Sequence, residues 1–206
     1  MTDDKDGREK QAADEDRRQR ERDVDAELER GDEAEPPAEG AEPPVDEAAV
    51  EALESALEPL TFPATGREII SAVGDRELES PARVYTVADL VPDADMEAFD
   101  APAAVRERVR RPAVAAAMKR VVEAAAELEN VDFGRSQHEA FERTFRALSD
   151  VDERDDESGV RAVADWVVDL IAETKSVPGS RAVRREAASY CRERGYEIRD
   201  DEWLGV

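Results

Sequence analysis

Residues 1–46 contain no aromatic side chain and, after Met1, only Val24, Leu28 and Val45 as sizeable apolar positions. A segment this poor in apolar surface cannot offset the entropy of ordering, which predicts a disordered tail. Residues 14–30 are rich in helix formers and predict a transient helix. The steps Glu35-Pro36-Pro37 and Glu42-Pro43-Pro44 then predict an extended linker. From Asp46 the pattern turns periodic. Val50, Leu53 and Leu57 fall at helical spacing and Pro59 stops the run. Thr65 with Glu68 three residues later is a capping box, so a helix is expected over 66–73, closed by Gly74 in a left-handed conformation. Residues 83–87 are β-prone, Thr86 and Asp89 suit the cap of a short turn, and Pro102 opens a helix to about residue 111.

Beyond Pro112 the helical period strengthens. Val114, Met118, Val121, Ala125 and Leu128 share a stripe over 113–129. Ser136 and Glu139 read as a second capping box for a helix to Leu148, with Phe141 and Phe145 inward. Residues 150–158 read as a charged loop. A helix over 159–174 aligns Val160, Val163, Val167 and Leu170 beside Trp166. Ser180 is expected to cap a last helix to about residue 194, closed by Gly195, with a short strand at 196–198 and Trp203-Leu204 tucked back onto the body. No repeat of fixed period is present. The pattern predicts a mostly α protein: a disordered acidic tail (1–46), a small helical domain with one or two short strands (47–111), and a four-helix array in a C-terminal helical domain (112–206).

Charge changes the picture of the environment. The chain carries 53 acidic and 29 basic residues, a net −24 on 206 residues, and 25 of the basic residues are arginine. The tail accounts for 18 acids and 8 bases, so the remaining 160 residues are strongly acidic as well. In dilute salt such an excess opposes compaction. At molar salt the screening length falls to about 3 Å and the repulsion fades. A genome biased in base composition accounts for arginine in place of lysine, but not for the surplus of acid, so the composition points to a salt-adapted protein. One cysteine, Cys191, excludes an intrachain disulfide and a cysteine-based zinc site within one chain. No apolar run approaches the roughly 18 residues of a membrane span, and the first ten residues, MTDDKDGREK, lack the apolar stretch of a signal peptide. The expectation is a cytoplasmic protein without membrane contact.

The stretch FPATGREIISAVGDRELE at 62–79, followed by Glu97-Ala98-Phe99-Asp100-Ala101-Pro102 and a helix, resembles small haloarchaeal proteins grouped as domain of unknown function 5789. The resemblance spans about residues 62–105, with a weaker echo in the tail GREKQAADEDRRQRER, and departs from the usual pattern at Ser80-Pro81-Ala82-Arg83. It implies a haloarchaeal source. It brings no activity and no catalytic residues.

Few residues carry chemistry. His138 is the lone histidine and reads as a core-edge residue near a helix start, and Cys191 as a buried small hydrophobe on the last helix. Catalysis by either is the weakest alternative. The acid runs at 152–153 and 155–157 lack the spacing of a calcium loop, and residues 175–180 lack the order of a phosphate loop. No metal and no cofactor are expected. The exception is local positive charge. At about 100° per residue, Arg192 and Arg185 lie about 20° and 40° from Arg181, and Arg184 about 60° to its other side. A second island comprises Arg106, Arg108, Arg110 and Arg111, with Lys119 and Arg120 one helix on. The stripe Arg181, Arg184, Arg185 and Arg192 is the candidate anion- or nucleic-acid-binding face. The sequence thus predicts a non-enzymatic, salt-adapted protein acting through an unidentified protein partner. The alternative is a nucleic-acid-associated regulatory factor using that stripe.

Overall fold

A computed structural model describes residues 45–80, 83–128, 133–151 and 158–196. The expected disordered tail with its transient helix, the strand at 196–198, the Trp203-Leu204 tuck and the acid runs of 152–157 fall wholly or mainly outside them. Val45 is buried, and Asp46 caps α1 (Glu47–Leu57) by accepting the Ala48 N–H at 3.2 Å. Val50, Leu53 and Leu57 are buried as their spacing requires. The strand β1 (Ala64–Thr65) leads into α2 (Gly66–Val73). There Thr65 Oγ1 accepts the Glu68 N–H at 3.3 Å and Glu68 Oε2 accepts the Thr65 N–H at 2.8 Å, the expected capping box.

Gly74 departs from expectation. Its φ of −57° is right-handed, and its N–H continues the helical ladder to Ile70 O at 2.8 Å. The glycine answers crowding instead, since a Cβ there would lie 2.5 Å from Ile70 O.

A hairpin follows that the sequence showed only in half: β2 (Glu77–Glu79) pairs antiparallel with β3 (Val84–Thr86), placing buried Leu78 opposite buried Tyr85. Beyond β2, Ser80 N–H reaches Arg83 O at 3.0 Å. The short helix α3 (Val87–Leu90) is introduced by Thr86, whose N–H and hydroxyl both donate to Asp89 Oδ2 at 2.8 Å. The strand β4 (Ala98–Phe99) returns to pair antiparallel with β1, and α4 (Pro102–Val109) begins on proline, as expected, but stops two residues short.

Four longer helices follow: α5 (Pro112–Ala126), α6 (Arg135–Val151), α7 (Ser158–Thr174) and α8 (Ser180–Arg194). Two expected caps differ. Ser136 lies inside α6, where Gly134 O accepts the N–H groups of Gln137 and His138 at 3.0 Å and Glu139 pairs with Arg135 instead. In α8 the N-cap is Gly179 and Ser180 is the first helical residue. Gly195, by contrast, is left-handed at φ 75° and closes α8 as expected. On α7 the inward stripe takes Ile171 where Leu170 was expected; Leu170 is only half-buried.

The apolar side chains form two clusters. One gathers α1 through α4, including Ile69, Leu78, Tyr85, Leu90 and Val109. The other gathers Phe141, Phe145 and Leu148 of α6 with the inward faces of α7 and α8. Helix α5 serves both. Val114, Ala117, Met118 and Val121 enter the second cluster, while Ala115 enters the first with Ala116 against it. A helix buried nearly all round needs apolar residues on every face, and its small alanines let neighbours approach on both sides.

Candidate functional site

The arginine stripe sits where helical geometry predicts. Val183, Ala187, Ala188 and Cys191 of α8 are buried against α6 and α7, which turns Arg181, Arg185 and Arg192 to the exposed side and leaves Arg184 half-buried. None of the four makes an ion pair among the described residues, although Glu186 and Glu193 lie on the same helix. Glu193 accepts from the Ser189 hydroxyl at 3.3 Å. The Arg184 Nε is buried without a hydrogen-bond partner.

The second basic island is different. Arg106 pairs with Glu47 (3.0 Å) and Glu54 (3.2 Å), Arg110 with Glu47 (2.7 Å) and Glu107 (3.1 Å), and Arg111 with Asp150 (3.7 Å). Lys119 pairs with Glu123, and Arg120 with Asp165 at 2.5 Å. The hydrogen bond to Glu47 raises the Arg110 guanidinium further above its ordinary range. Burial pushes the Asp150 carboxyl up, against the opposing charges of Arg111 and Arg146. These cations hold elements together and are spent within the fold.

Arg108, of the same island, belongs to a second arrangement that sequence reasoning did not assemble. Gly66 N–H donates to Glu97 O at 3.1 Å, and a Cβ on Gly66 would lie 2.1 Å from Pro92 O, so only glycine lets this backbone close. That contact places Glu97 just ahead of β4. Arg108 approaches from α4 and His138 from the first turns of α6. Arg108 Nη2 donates to Glu97 Oε1 at 2.5 Å, and His138 Nε2 lies 3.0 Å from the same oxygen. All three side chains are largely buried, at 8, 11 and 15 % exposure for Arg108, Glu97 and His138. Burial pushes the Glu97 carboxyl up, but the His138 hydrogen bond and the Arg108 charge outweigh it and hold the group below the usual carboxylate range. Phe99 faces the guanidinium at 5.7 Å and Phe133 the imidazole at 5.6 Å.

These residues line a cleft of about 420 Å³, rimmed by Arg135, Glu139, Glu142 and Arg146. Buried ions of this kind cost several kcal/mol each to desolvate, about balanced by close pairing. His138 thus takes the core-edge place expected of it, with an ionic partner that helical spacing alone does not reveal. Cys191 is buried in the α6–α8 cluster and is not among the residues lining the cleft, so the two residues considered for catalysis are not brought together there. Lys175 adopts a left-handed φ of 54° and its N–H closes α7 onto Ile171 O at 2.9 Å, a helix end and not a phosphate cradle. Among the described residues, no three histidine, cysteine or carboxylate side chains gather as metal ligands, and no helix is long and apolar enough to cross a membrane.

Residues 47–121 match the model of a family of unknown function (DUF5789). The match begins at α1 and ends within α5, taking in Glu97 and Arg108 but neither His138 nor the arginine stripe. It shows the expected family resemblance and extends it beyond 62–105 in both directions. No curated protein and no solved structure matches the chain.

Proposed function

We propose that this is a non-enzymatic, salt-adapted cytoplasmic interaction protein whose contact face is the outer side of α8, and that its partner is an acidic protein surface. One observation carries this reading. Arg181, Arg184, Arg185 and Arg192 make no ion pair among the described residues of a chain with net charge −24, whereas every cation of the second island has an acid. Arginine suits the task because its planar fork grips a carboxylate through two hydrogen bonds, a contact that survives where long-range attraction is screened. Screening also weighs against duplex DNA as the partner, because affinity that rests on displaced counterions falls steeply as salt rises.

The test is direct. In molar KCl, the full chain titrated with a polyglutamate peptide should show saturable changes confined to α8 amide signals, and duplex DNA of equal charge should show none. The triple variant R181E/R185E/R192E should abolish the peptide response while keeping the helical circular dichroism. DNA binding that exceeds peptide binding would establish the nucleic-acid alternative in place of this reading, and an unchanged response in the triple variant would remove α8 as the contact face.

A further inference from the structure

Beneath the lining of the Glu97–Arg108–His138 cleft lie an unmatched donor and acceptor. Arg108 Nη2 and Glu97 Oε1 satisfy each other, but Arg108 Nη1 and Glu97 Oε2 are buried with no hydrogen-bond partner. His138 approaches Oε1 and so does not fill the gap. Native structures leave few such atoms, and each calls for a specific cause. Here the two stand on the two members of one ion pair, and both residues line one cleft. The rim is already balanced, with Arg135 on Glu139, Arg146 on Glu142 and Glu107 on Arg110, leaving Asp100 as an exposed rim carboxylate. The mutual pairing of Glu97 and Arg108 and a balanced rim with one spare acid disfavour an anion. The remaining walls are Met96, Ala98, Phe99, Ala104, Val122 and Phe133, an apolar and partly aromatic lining. The volume of about 420 Å³ falls in the range of small-molecule sites, roughly 300–1,000 Å³.

We propose that this cleft binds a small neutral molecule presenting a primary or secondary amide, or a lactam edge, on a flat apolar body. Its carbonyl accepts from Arg108 Nη1 and its N–H donates to Glu97 Oε2. Both atoms lie beneath the surface, so entry requires a wall to part. Met96 is the side chain suited to this: it is unbranched, lines the cleft and is 40 % exposed. The site is independent of the α8 face.

Benzamide is the probe. Added to isotope-labelled full-length protein in molar KCl, it should shift the amide signals of Glu97, Arg108 and His138 saturably. N,N-dimethylbenzamide keeps the carbonyl but has no N–H, and benzoate adds a negative charge; each should bind at least about tenfold more weakly, since each leaves a buried partner unpaired. Ala104 is exposed on α4 and lines the cleft, so Ala104→Trp should block benzamide without lowering the melting temperature. The proposal is overturned if benzamide leaves the cleft signals unmoved, if the three probes bind alike, or if a folded Ala104→Trp variant binds benzamide as well as the parent.

Discussion

Two glycines separate what a single position can mean in this chain. At Gly74 the crowding comes from the preceding turn of its own helix, whereas at Gly66 a methyl group would meet the Pro92 carbonyl oxygen at 2.1 Å, and backbone cannot step aside as a side chain can. Gly66→Ala is therefore expected to destabilise by at least the roughly 1–3 kcal/mol typical of overpacking, read as a lowered denaturant midpoint, and to disturb Glu97, whose carbonyl Gly66 holds. A midpoint within error of the parent would show that the backbone relaxes there. Glu97 carries the pH dependence of the same region. Its folded carboxyl titrates below its unfolded value, so its contribution to stability is present above the ordinary carboxylate range near about 4.3 and is lost as pH falls through the lower folded value. Glu97→Gln leaves the buried Arg108 charge without its counterion, at a cost of roughly 3–5 kcal/mol near neutral pH. The gap between parent and variant should narrow as the medium is acidified past that range. Urea midpoints at both ends of the window check this, and an equal gap at both would mean that the loss is one of packing.

At the scale of elements, periodicity was informative wherever one face of a helix meets one core. The inward residues of α1 and, Thr144 apart, of α6 follow from spacing alone. Caps were less so, because a motif fixes chemistry but not register. Thr65–Glu68 and Ser136–Glu139 offer the same kind of pair at the same spacing, yet only the first forms a box. Before α6, Phe133 packs edge-on against Phe141 at 5.3 Å and the Gln137 amide donates to Pro178 O at 2.7 Å; with Gly134 O serving the first N–H groups, the helix starts ahead of Ser136. The β2 strand offers one apolar side chain, Leu78, between two glutamates, too little for any pattern until β3 lies beside it. The cleft was illegible for a related reason. Glu97 lay in the family-like motif, Arg108 in a basic island and His138 in a helix start, and only the fold joins them across 11 and 30 residues. The vacant cap of α8 gives an element-scale prediction. Gly179 sits in extended geometry with no side-chain cap, and a Cβ placed on it would meet nothing within 4 Å. Gly179→Ser should raise stability by about a few tenths of a kcal/mol, seen as a higher melting temperature, whereas a lower one would show that the start of α8 cannot accept the hydroxyl.

The whole molecule sets two electrostatic effects against each other, and they respond to salt with opposite sign. Ion pairs such as those joining Arg106 and Arg110 of the α4 region to Glu47 of α1 strengthen as salt is removed, but partly exposed pairs contribute only about 0–1 kcal/mol each. The net charge of −24 acts the other way, because repulsion among unpaired carboxylates grows as the screening length rises from about 3 Å at molar salt to about 10 Å at 0.1 M. Apolar burial adds to the second effect where the salt is one excluded from protein surfaces. With acids far outnumbering bases and each pair weak, repulsion should prevail. Lowering KCl from about 3 M to about 0.05 M, a change that lengthens screening severalfold, should lower the denaturant midpoint and diminish the helical circular dichroism at 222 nm. The slope decides between the two accounts: a midpoint that holds or rises on dilution would mean that the paired arginines dominate, and that the acidity of this chain is not an adaptation to salt.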